Sequence, residues 1–76
     1  MKVFTKTGCP WCLDAIAWLK ENDYDFTEVN VSRDRAAFEE MHRLSGQTKA
    51  PTLVLEDGQV LADFGVAELK PFLASL

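Results

Sequence analysis

The chain has 76 residues, of which 47% are hydrophobic, with a net charge of -4. That length suits a single domain spanning 1–76 with a small core, one that buries only about 60% of its unfolded surface. The apolar fraction excludes a disordered chain. Lys and Arg are scattered, so a nucleic-acid partner is not expected. No leader and no long apolar run is visible, so a membrane is not expected either. A reducing, cytoplasmic setting is the expectation.

Lys2-Val3-Phe4-Thr5 is rich in strand formers and predicts a first strand. Gly8 breaks it. Pro10 suits the first position of a helix, where its missing N–H costs nothing. Cys12, Ala15, Ile16 and Leu19 fall on one face, so the helix runs over 10–21. Asn22-Asp23 ends it. Phe26 to Val31 alternates apolar with polar, which predicts a second strand. Ser32 is then the expected N-cap of a second helix, with Ala37, Met41 and Leu44 on one face and Ser45-Gly46 as its stop.

Pro51 opens a third strand, Thr52 to Leu55. Asp57-Gly58 is a strong turn signal leading into Gln59 to Ala62, so these runs form a hairpin. Gly65 marks the next corner. Leu69, Phe72, Leu73 and Leu76 form one face of a terminal helix. Pro71 inside it predicts a kink, or a turn between two helical pieces. The order β-α-β-α-β-β-α gives an α/β fold. A parallel crossover pair and an antiparallel hairpin make a mixed four-stranded sheet with helices on both faces.

Cys9 and Cys12 are the only cysteines. The ring they close is too short to constrain much of the chain, so a reactive pair is expected rather than a staple. A redox cysteine acts as the thiolate. Cys9 precedes a helix whose free N–H groups and positive dipole end favour an anion, and Lys6 adds a nearby positive charge. Asp14 opposes it. Cys12 lies one turn in and further from solvent, so Cys9 attacks and Cys12 resolves. Pro10 stiffens the turn, and Trp11 offers an aromatic plate beside the sulfur. Two plainer readings stand beside this one. Zinc needs four ligands, and His42 is the only other soft one; two inert buried cysteines do not suit a Gly-Cys-Pro-Trp-Cys turn.

The chain resembles a glutaredoxin along nearly its whole length. The resemblance rests on Phe4-Thr5-Lys6, on Cys9-Pro10-Trp11-Cys12, on Ser45-Gly46-Gln47-Thr48-Lys49-Ala50-Pro51, and on the final hairpin and helix. It implies the thioredoxin fold and a thiol–disulfide oxidoreductase that reduces protein disulfides or glutathione mixed disulfides. Glutathione is the implied reductant, no tightly bound cofactor and no metal is expected, and the protein is expected to be a monomer. Pro51 should be cis, with the backbone of Ala50 pairing with substrate; the plainer reading is that Pro51 only starts a strand. Lys6 and Gln47 match positions that hold the glycine carboxylate of glutathione. Gly65 and Val66 match the stretch that holds its γ-glutamyl end.

That last stretch departs from the family. The usual paired glycines are missing from Ala62-Asp63-Phe64-Gly65-Val66, and Val66 offers no polar side chain. A related branch of glutaredoxin-like redoxins donates electrons to ribonucleotide reductase and is recycled by thioredoxin reductase. The chain is similar to that branch in Asn30-Val31-x-Arg33, in Phe64 followed by Leu69, and in its shortness. A third possibility is a [2Fe–2S] cluster bridging two chains, which Pro10 disfavours. His42, Glu39-Glu40 and Asp34-Arg35 read as solvated helix face. Trp18 reads as core edge, and Phe4, Phe26, Phe38 and Phe72 as core.

Overall fold

A computed structural model describes residues 1–76. The elements are β1 (Lys2–Thr5), α1 (Pro10–Glu21), β2 (Thr27–Asn30), α2 (Arg35–Ser45), β3 (Thr52–Val54), β4 (Val60–Ala62) and α3 (Val66–Ala74). The sheet order is β2-β1-β3-β4. β1 pairs parallel with β2 and antiparallel with β3, and β3 pairs antiparallel with β4. This is the mixed four-stranded sheet expected from the element order.

Strand alternation sends successive side chains to opposite faces. Val3 and Leu53 therefore face one layer, where they pack with Ala15, Ile16 and Leu19 of α1 and with Leu69 and Leu73 of α3. Phe4 and Val54 face the other, where Ala37 and Met41 of α2 cover them. Two helices thus lie on one face and one on the other. Phe64 joins the first layer from the loop before α3 and is 1% exposed. Phe64 lies outside every periodic segment of the sequence, so its local pattern assigns it no packing role.

The helix ends explain several departures. Asp34, not Ser32, caps α2: its Oδ1 accepts from Ala37 N at 3.1 Å. The reason is tertiary, because Ser32 Oγ already accepts from Thr7 N at 2.8 Å. α2 stops at Gly46, whose φ of +73° is the left-handed conformation that glycine adopts freely. Leu44, expected on the buried face with Ala37 and Met41, is instead exposed and borders a surface hollow with Lys2, Thr27 and Val54.

α3 runs through Pro71 as one helix, not as two pieces joined by a turn. Proline removes the N–H that would reach Ala67 O. Ala67 and Pro71 both lie on the exposed side, where water can take that carbonyl. Phe4 is fully buried, but Phe26, Phe38 and Phe72 are only partly so. Trp18 packs on the edge of the first layer and stacks on Tyr24, with ring centroids 5.7 Å apart. The hairpin turn is longer than Asp57-Gly58: Gly58 N donates to Leu55 O and Leu55 N to Gln59 O. Only Gly58, at φ +94°, has the positive φ of that pair, so three residues form the loop.

Candidate active site

The sheet register gathers the loops of interest at one edge. Phe4 pairs with Thr52, and Thr52 pairs with Ala62. The chain therefore leaves β1 toward Cys9, enters β3 from Pro51, and leaves β4 toward Gly65, all at the same end. Thr5 pairs with Asn30, which brings the start of the β2–α2 loop there too.

Cys9 and Cys12 form a disulfide. Cys9 is the N-cap of α1, with its Sγ accepting from Cys12 N at 3.1 Å. Cys12 is buried at 2% exposure, whereas Cys9 is half-buried. Pro10 follows at the start of the helix, and Trp11 stands 57% exposed. Most of this aromatic surface therefore lies in water and outside the core. The loop before the pair is braced from the next strand. Asn30 Nδ2 donates to Thr7 Oγ1 at 3.2 Å, and Ser32 N donates to Asn30 Oδ1 at 2.8 Å. From sequence Ser32 is expected as a helix cap and Asn30 only as part of a resemblance, while Thr7 carries no expectation; the one local signal for this brace is an Asn two residues before a Ser, which suits an Asx turn.

The α2–β3 loop lies alongside. The Ala50–Pro51 bond is cis, as the resemblance implies. Pro51 is buried and its carbonyl accepts from Asp63 N at 2.9 Å. Asp63 has φ +52°, a left-handed conformation in the stretch where the family's usual glycines are missing; aspartate tolerates it better than most residues. Lys6 Nζ donates to Thr48 O at 2.8 Å and sits 5.9 Å from the Phe38 ring centroid. It thus links the loop carrying the cysteines to the loop carrying Pro51. The Gln47 amide points inward, to Ser45 and Thr52.

Across the site, Gly65 and Val66 begin α3. Trp11 lies beside Gly65, and the two helix starts enclose an open groove of about 280 Å³ lined by Trp11, Asp14, Gly65, Val66, Ala67 and Glu68. Glu68 Oε1 accepts from Gly65 N at 3.0 Å. The first free N–H of α3 is therefore met by the chain's own carboxylate. His42 is exposed on α2. No group of three or more His, Cys, Asp or Glu side chains gathers to hold a metal ion, and no helix is long and apolar enough to cross a membrane.

A cysteine pair at a helix start, at the end of a mixed β2-β1-β3-β4 sheet where the Pro51 loop also lies, defines a redox protein of thioredoxin-like fold. The family model described as Glutaredoxin matches residues 1–61. The chain is 36% identical over 73 residues to an uncharacterized glutaredoxin-like 8.6 kDa protein in rubredoxin operon of Clostridium pasteurianum, covering 96% of each. It is 32% identical over 56 residues to glutaredoxin 3 of Escherichia coli, covering 74% of this chain and 68% of that one. The solved structure of the thioredoxin-like protein BC3987 superposes with a TM-score of 0.83 at 31% identity, covering 92% of this chain and 94% of that one. The chain belongs to the glutaredoxin family.

Proposed function

We propose that the protein is a thiol–disulfide oxidoreductase in which Cys9 attacks and Cys12 resolves, reducing protein disulfides or glutathione mixed disulfides. One observation carries the order of attack. Cys9 is the more exposed sulfur and already accepts the Cys12 N–H at the start of α1. The same N–H and the helix dipole favour that sulfur as an anion.

The cycle moves two electrons. Cys9 thiolate bonds to one sulfur of the substrate disulfide, and the other sulfur leaves as a thiolate. Cys12, deprotonated, then bonds to Cys9, and the second substrate thiolate leaves. The Cys9–Cys12 disulfide is the oxidised product. Two glutathione molecules restore the dithiol, being oxidised to glutathione disulfide. Ala50 offers its backbone to the extended substrate, with Pro51 holding the loop in place. Lys6 is the side chain proposed for the glycine carboxylate of glutathione; Gln47, the other candidate the resemblance offers, already spends its amide on Ser45, Thr52 and Lys49. Trp11, Gly65 and Val66 border the groove proposed for the rest of it.

A second reading is favoured by one feature. Val66 has no polar side chain, and Glu68 takes the Gly65 N–H at the start of α3. That weakens the place proposed for the γ-glutamyl end and favours thioredoxin reductase as the electron source, with ribonucleotide reductase as an acceptor. Parallel NADPH-coupled assays decide, one with glutathione and its reductase, the other with thioredoxin reductase. Cys9→Ser is expected to abolish turnover in both. Cys12→Ser is expected to keep glutathione exchange and lose dithiol reduction. Turnover by Cys9→Ser would overturn the mechanism.

A further inference from the structure

Gln47 has a second, better-supported job than holding a ligand. Its Nε2 donates to Ser45 Oγ at 2.9 Å and to Thr52 Oγ1 at 2.8 Å. Its Oε1 accepts from Lys49 N at 2.7 Å. Ser45 Oγ in turn donates to Met41 O at 2.6 Å, and Thr52 Oγ1 to Lys49 O at 2.7 Å. Each hydroxyl has one proton and the amide has two, so these five bonds use every donor once; Gln47 O, at 3.2 Å, is a second and more distant acceptor for the Ser45 hydroxyl. Thr52 is fully buried. A satisfied network of this kind is rigid.

The network joins the last turn of α2 to the first residue of β3. Between them lies the loop that carries Ala50 and Pro51. Turning the Gln47 amide out to a ligand strips Lys49 N of its acceptor and Ser45 Oγ of a donor.

We infer that Gln47 is a positioning residue: acting through Ser45, Lys49 and Thr52, it fixes the Ala50–Pro51 backbone that receives the substrate, whatever the substrate's leaving group. The inference rests on the reading of Cys9 and Cys12 as the thiol–disulfide centre. Within it, Gln47 sets how well every disulfide is aligned and does not select for glutathione.

The test is the single-turnover rate of pre-reduced protein with two substrates, a glutathione mixed disulfide and a protein disulfide free of glutathione. Gln47→Ala slows both by the same factor, about ten-fold; a misplacement of about 1 Å can cost up to roughly a hundred-fold. Thr52→Val, which alters only a buried hydroxyl, slows both equally. Thr52→Ser keeps that hydroxyl and restores the rate. The double variant is no slower than either single one, because both remove the same support. Amide exchange at Lys49 accelerates in Gln47→Ala, a readout that stands if Thr52→Val fails to fold.

Slowing confined to the glutathione substrate, with Lys49 exchange unchanged, overturns the inference. Cys9→Ser run alongside keeps the two questions apart. Residual rate there counts against the dithiol centre, whereas the substrate ratio counts only against Gln47.

Discussion

Phe64 links the core to the site, and its removal should be costly. The ring is 1% exposed and packs with Val3, Leu19, Leu53 and Leu69. Truncating a phenylalanine buried this fully costs about 3–5 kcal/mol, through lost transfer energy and the cavity left behind. A chain of this length has a total stability of about 4–11 kcal/mol, at roughly 0.05–0.15 kcal/mol per residue. Phe64→Ala therefore removes between a quarter and all of it. Phe64→Leu keeps most of the volume and should cost under about 2 kcal/mol. Leu76→Ala is the control, since Leu76 is 63% exposed and surface changes stay within about 0.5 kcal/mol. The assay is urea unfolding of the oxidised protein, read as a midpoint shift at constant slope. The reasoning fails if Phe64→Ala costs under about 1 kcal/mol, or if it matches Leu76→Ala.

Asp34→Ala removes the α2 cap and should cost about 1 kcal/mol, seen as a melting temperature roughly 4–8 °C lower. Ser32→Ala should cost less, and should loosen the Thr7 amide in hydrogen exchange instead. Asp57 is held below its ordinary carboxylate range by its side-chain bond to Gln59, then by the Gln59 backbone N–H. A depressed folded-state pKa gives stability that is present above the ordinary value and is lost as pH falls through the folded one. Asp57→Asn should lower stability slightly at neutral pH, where the charged carboxylate is bonded to Gln59, and match the wild type at low pH, so that the acid limb flattens. An NMR titration placing the Asp57 carboxyl at or above its ordinary value would contradict the assignment. Asp63→Val should cost more than about 1 kcal/mol, because φ +52° suits a β-branched residue poorly. Asp63→Gly should stay near neutral by thermal melting, since relief of that conformation offsets the lost ion pair with Lys49 at 3.7 Å.

The local pattern of the chain already carried the element order, the parallel and antiparallel pairings, and the dithiol at the start of the first helix. Those follow from periodicity, from Pro10 and from turn residues, all of which act within a few positions. The sequence also placed Lys6, Gln47, Ala50, Pro51, Gly65 and Val66 as candidates, but through resemblance rather than local physics. What periodicity could not reach were choices between equally good local partners. Ser32 and Asp34 are both fit caps, and Ser32 is diverted only because Thr7 arrives beside it from β1. Pro71 reads as a breaker until the fold shows its missing bond turned to water. Gln47 reads as a free polar side chain until Ser45 and Thr52 close around it. For the cap and for Gln47 the deciding neighbour lies on another element or across a loop; for Pro71 it is the lack of any neighbour over Ala67. Such contacts exist only once the sheet has set the register.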